Sequence, residues 1–223
     1  MPDGQYSFYL HSDDRTDIAA MATISTISQP LRGEFIRTAA TAGAVVYQVD
    51  ARLPALIPVF FAGQLSAVRL CAVMALVSGT WSSLTGLPDE PENGEAALPV
   101  SPETEYQRRR YTLTLQNGRS GERVESVLME ASSRLRGDLL RNLIITGLAL
   151  HTTAPELPRL LASMPVPPTS VSELQALVQQ MAGTADVNRA AAAVPDTPAA
   201  SAAPVSGSDT RELKKNMRRA FGD

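Results

Sequence analysis

Apolar and polar side chains alternate through Tyr6, Ser7, Phe8, Tyr9 and Leu10, the period of a strand with one buried face. The period then changes. Ile18, Met21, Ile24 and Ile27 recur every three residues, predicting a helix to about residue 27 that starts behind the capping carboxylates Asp13 and Asp14. Gln29 and Pro30 end it, and Pro30 also suits the start of a second helix over 31–49, with Phe35, Ile36, Ala39 and Val46 facing inward. The same order returns later. Tyr111, Leu113 and Leu115 alternate as a strand, Asn117 and Gly118 make a turn, and Val124, Val127 and Leu128 mark a helix over 121–132. Ser132 or Ser133 would cap a helix over 134–150, and shorter helices over 157–163 and 171–181 follow, with Ser170 or Ser172 capping the last.

The recurrence extends to residue identity. Leu31, Arg32, Gly33, Arg37, Gly43, Leu53, Pro54 and Leu56 reappear 104 positions on as Leu135, Arg136, Gly137, Arg141, Gly147, Leu157, Pro158 and Leu160. Nothing generic about helices holds glycines, prolines and arginines in fixed register, so the chain is an internal duplication. The strands match at an offset of 105, a difference of one residue between strand and second helix.

Two repeats, 1–85 and 106–183, are therefore expected, joined by the Pro-rich acidic segment 86–105. Residues 53–84 are nearly uncharged, but Pro54, Pro58, Gly63, Gln64 and Arg69 interrupt the ~18 to 20 apolar residues that a bilayer span needs. Two short buried helices, forming a subunit contact, fit that stretch better. Residues 184–208 are rich in Ala, Pro and Ser and read as a disordered linker. Beyond it, Leu213, Met217, Ala220 and Phe221 form one stripe of a basic amphipathic helix over 209–223.

Charge divides unevenly. Residues 86–105 hold 6 acidic and no basic side chains, whereas 106–183 hold 9 basic against 6 acidic, so an anionic partner belongs on the second repeat. Cys71 is alone and cannot close an intrachain disulfide, which suits a reducing interior. No secretory leader pattern opens the chain. His11 and His151 stand in unrelated contexts, and neither joins Cys71 in a metal or nucleophile spacing. Gly33 and Gly43 form no phosphate-binding loop and suit close helix packing instead. With no paired carboxylates for acid–base work, the residues point to no enzyme, no metal and no cofactor.

A strand followed by two helices leaves both strand edges unpaired, so one copy cannot close a core. Two copies can. Antiparallel pairing of the strands gives a mainly α fold, a duplicated ribbon-helix-helix with extra C-terminal helices per repeat, paired either within one chain or between chains. The apolar set of each strand faces the helices. Ser7, Tyr9 and His11 then face outward on one strand, and Arg110, Thr112, Thr114 and Gln116 on the other, beside Arg108 and Arg109. A two-stranded ribbon fits the major groove of double-stranded DNA, where Arg reads guanine and Thr contacts bases or the thymine methyl. The N-terminus of each second helix would hold phosphate, helped by Arg134 and Arg136 in one copy and Arg32 in the other. Those contacts position the protein and do not specify sequence.

The strand, the Leu-Arg-Gly-(Glu/Asp)-x-x-Arg helix leading into a Pro-containing helical half, and the basic amphipathic C-terminus together resemble the ParR adaptors of plasmid partition systems. The resemblance implies a bacterial cytoplasmic protein that binds repeats of a centromere-like DNA site and assembles side by side into an array. It also implies that the tail engages an actin-like ParM-type filament, with Leu213, Met217 and Phe221 as anchors and Lys214, Lys215, Arg218 and Arg219 facing an acidic surface. The usual member carries one copy and forms a homodimer, whereas this chain carries two. The competing readings are a ribbon-helix-helix repressor or antitoxin, and a structural protein assembled through residues 53–84.

Overall fold

The computed structural model describes residues 4–80 and 108–192, with side chains described to residue 183. The expected acidic linker and the tail helix, with Leu213, Lys214, Met217, Arg218 and Phe221, lie outside the described residues. The described residues through 186 belong to one compact unit; of the second unit, 187–223, only the end of a helix is described.

The order is β1 (Gln5–His11), α1 (Arg15–Thr26), α2 (Arg32–Val49), α3 (Leu53–Leu56) and α4 (Ala67–Ser78), then β2 (Arg108–Thr114), α5 (Arg119–Glu130), α6 (Arg136–Thr153), α7 (Leu157–Ser163) and α8 (Val171–Ala192). β1 and β2 pair antiparallel within the chain, Gln5 opposite Thr114 and His11 opposite Arg108. The molecule is thus a duplicated ribbon-helix-helix fold whose ribbon is closed by one chain.

The duplication appears as local two-fold symmetry. Ser7 and Thr112 correspond under the strand offset of 105, and they face each other across the ribbon, which places the axis between them. The helices obey the same axis. α2 and α6 make the most extensive packing in the molecule. A Cβ on Gly43 would strike the Leu143 carbonyl, and one on Gly147 would strike the Ala39 carbonyl. Ala39 and Gly43 correspond to Leu143 and Gly147 at the offset of 104, so the two contacts exchange across the axis. Gly43 and Gly147 are therefore needed for close backbone approach. Gly33 is not: a Cβ there would only touch Arg37 Nη1 at 3.6 Å, so the packing expectation holds for Gly43 alone of that pair.

The core lies where ribbon and crossing helices meet. Phe8, Leu10, Val45, Val46, Leu143, Ile144 and Leu148 are fully buried, each worth about 1.5–3 kcal/mol of transfer free energy. Phe8 stacks on its cross-strand partner Tyr111, ring centroids 5.2 Å apart and planes 15° apart, a pairing that adds to burial.

Several boundaries differ from expectation. β2 begins at Arg108 and not at Tyr111, because the three arginines find strand partners in His11, Leu10 and Tyr9. α5 starts two residues early, behind Gly118 at φ 137°, a conformation that favours glycine. Neither Ser132 nor Ser133 caps α6; its N-cap position is Leu135, with no side-chain cap, and Leu135 N–H donates to Ser132 O at 2.9 Å in a tight turn. α8 runs to Ala192, so residues 184–192 are helical and not part of a disordered linker. Alanines at 182, 185 and 190–192 favour helix, and no proline intervenes before Pro195. Residues 53–80 fold as α3, a 3-10 turn (Ile57–Phe60) and α4. They are only partly buried: Leu56, Val59, Phe60, Val68 and Leu76 stay exposed. No helix among the described residues is long and apolar enough to cross a membrane.

Candidate nucleic-acid interface

Strand periodicity decides which side chains leave the core. Tyr6, Phe8 and Leu10 on β1 and Tyr111 and Leu113 on β2 turn toward the helices. The opposite face then carries Gln5, Ser7, Tyr9 and His11 against Thr114, Thr112, Arg110 and Arg108. Arg108, Arg110, Thr112 and Thr114 are exposed, while Ser7 and Tyr9 are half-buried.

The half-burial has a cause in the register. Arg110 lies diagonally across from Ser7, and its Nε and Nη2 donate to Ser7 Oγ at 3.2 and 3.0 Å. Arg108 lies diagonally across from Tyr9, its guanidinium carbon 3.5 Å from the ring centroid, a cation–π distance. The first strand therefore carries the arginines of the second. Arg109 points the other way and sits 5.3 Å over the Tyr111 ring.

The N-termini of α2 and α6 flank the ribbon. A Cβ on Gly137 would come within 3.4 Å of Ser7 O. The symmetry appears again in the tyrosines. Burial pushes Tyr6 and Tyr111 up, partly offset at Tyr6 by the charge of Arg136 and at Tyr111 by Arg109 and Arg32. Arg32 and Arg136 also do structural work that spacing did not reveal. Arg32 donates to Ile27 O at 2.8 Å and Ser25 O at 3.2 Å. Arg136 donates to Leu128 O and Ala131 O at 3.1 and 3.2 Å. Each closes the C-terminus of the preceding helix, where a cation complements the helix dipole. Arg134 is exposed.

A second group was not legible from spacing. Asp17 is fully buried, accepts from His11 N–H at 2.9 Å and is bound by Arg141 Nε at 2.6 Å. Arg141 also reaches Asp14 Oδ2 at 3.1 Å, tying α6 of the second copy to α1 of the first. At the symmetry-related place the acids are replaced by Gly118 and Gly121, and among the described residues Arg37 makes no ion pair. The Asp14-x-x-Asp17 spacing was the available signal, but its partner lies 124 residues away.

The remaining candidates are structural. His151 Nδ1 lies 3.1 Å from Pro155 O, and its ring packs edge-on against Phe35. Burial pushes the Cys71 thiol up, which disfavours a thiolate.

A family model described as "Plasmid stability protein" matches the chain twice, over residues 4–74 and 109–178. The two matches begin 105 residues apart and end 104 apart, locating the one-residue difference inside the repeat. α1 and α5 already differ by 104, so it lies in the loop after the strand. No curated protein and no solved structure matches.

Proposed function

Since the chain belongs to the plasmid stability protein family, we propose that it maintains a plasmid as a centromere-binding adaptor, holding repeated sites in double-stranded DNA and joining them to an actin-like filament. One observation carries the DNA half of this reading. The exposed face of the ribbon presents Arg108, Arg110, Thr112 and Thr114 along one strand, at the spacing with which a two-stranded ribbon enters the major groove. The N-termini of α2 and α6 beside it, with Arg32 and Arg136, offer phosphate contacts on both flanks, and Arg134 adds charge to one.

The filament half rests on the tail, where Leu213, Met217 and Phe221 form an apolar stripe among Lys214, Lys215, Arg218 and Arg219. Exposed Val59, Phe60 and Leu76 on the first copy supply an apolar surface for side-by-side assembly on DNA.

Titration of the full chain with duplex DNA at rising salt tests the first half. The logarithm of affinity should fall linearly with that of salt, about 0.9 for each phosphate neutralised, and absence of binding at low salt would remove the reading. Deleting residues 209–223 tests the second. DNA binding should survive while filament capture is lost; a deletion that spares capture, or that abolishes only neutralisation of a toxin, would favour another function.

A further inference from the structure

Pairing of two identical strands about a two-fold axis makes the ends of a ribbon alike. Here they are not alike. On the exposed face, one end carries Tyr9 with Arg110 and His11 with Arg108; the other carries Gln5 with Thr114, and Ser7 and Thr112 lie on the axis between them. All the charge of the arginines falls at one end, and the opposite end offers an amide and a hydroxyl.

We propose that this ribbon reads a non-palindromic DNA site, a guanine-bearing half facing Arg108 and Arg110 and an A·T-bearing half facing Gln5 and Thr114. The proposal rests on the DNA-binding reading above and adds to it a direction along the duplex. The chemistry follows from the base edges. Arg pairs with guanine O6 and N7, Gln with adenine N6 and N7, and Thr packs on the thymine methyl. Arg110 spends its Nε edge on Ser7 Oγ, so the Nη1 and remaining Nη2 hydrogens stay available for a guanine. Arg108 is held by its flat face on Tyr9, and among the described residues no acceptor takes its N–H rim. Ser7 and Tyr9 are accordingly positioning residues: they hold the arginines and do not themselves read bases. One covalent chain makes such a site possible, since divergence of one strand from the other breaks the symmetry without a second gene product. Successive direct repeats of the site would then orient every bound molecule the same way.

Selection of bound duplexes from a randomised pool by the full chain tests this. The recovered motif should be asymmetric. Arg108→Ala with Arg110→Ala should weaken preference for guanine about 5- to 150-fold in one half and leave the other half unchanged, and Gln5→Ala should do the converse. Ser7→Ala and Tyr9→Ala should erode the guanine preference only, with Ser7→Thr and Tyr9→Phe retaining it, because a hydroxyl and an aromatic face are restored. A palindromic motif, or arginine variants that relax both halves equally, would overturn the inference while leaving DNA binding intact. Guanine preference untouched by Ser7→Ala and Tyr9→Ala would overturn the positioning roles. No salt-sensitive binding to any duplex in the pool would overturn the DNA reading and this inference with it.

Discussion

The side chain that most constrains the interior is Asp17. Its carboxylate has no access to solvent, yet it receives two donors, the His11 N–H and Arg141 Nε. Asp17→Ala takes the acceptor from the partly buried His11 N–H and the carboxylate from Arg141 Nε, and should cost about 1–3 kcal/mol, read as a fall in thermal midpoint. Asp17→Asn keeps an acceptor oxygen and should cost less. Burial raises the Asp17 carboxyl above its ordinary 3.8, offset in part by Arg141 and the His11 N–H. A raised folded-state pKa favours the protonated form in the fold, so this group adds stability as the pH falls from above that value toward 3.8. The asparagine variant has no such dependence. Melts from pH 7 to 4 should therefore show wild type gaining on Asp17→Asn as the pH drops, and a gap moving the other way would contradict the burial argument. Thr146 poses the opposite case. Its hydroxyl is buried with no hydrogen-bond partner among the described residues, so Thr146→Val should be neutral or stabilising by about 1 kcal/mol; a large loss on chemical denaturation would mean that the hydroxyl has a partner.

Among the elements, the crossing of α2 and α6 decides whether the two copies can join. Gly43→Ala or Gly147→Ala forces a methyl into the facing backbone and should destabilise by at least about 1–3 kcal/mol. Gly33→Ala meets only the end of Arg37 and should gain up to about 0.5–1 kcal/mol of helix propensity. Equal effects at all three positions, measured by denaturant melts, would contradict the crossing. The repeated glycines were visible in the sequence as a pair in register, and periodicity placed both ribbons of apolar residues and the two long helices. Periodicity could not find the start of β2. Three successive arginines carry no alternation, and only the register shows that Tyr9, Leu10 and His11 receive them. The extension of α8 was hidden for a related reason: small residues suit either a linker or a helix, and alanine favours the helix.

For the molecule as a whole, the consequence of duplication is that strand pairing no longer depends on a second chain. The thermal midpoint should not change on dilution, whereas a ribbon shared between chains would lose stability with it. The candidate interface was half legible on the same grounds. Outward alternation identified Ser7, Tyr9, Arg110, Thr112 and Thr114, but that Ser7 and Tyr9 hold the arginines follows only from the diagonal contacts across the ribbon. The most direct measurement is the affinity of the full chain for duplex DNA across a salt series, with wild type beside the Arg108→Ala, Arg110→Ala double variant. Both residues are exposed, so the fold should survive their loss. The predicted result is salt-sensitive, site-selective binding by wild type, and by the variant weaker binding that no longer discriminates guanine in one half of the site. Equal affinity and equal selectivity in the two proteins would show that the outer face of the ribbon is not where DNA is read.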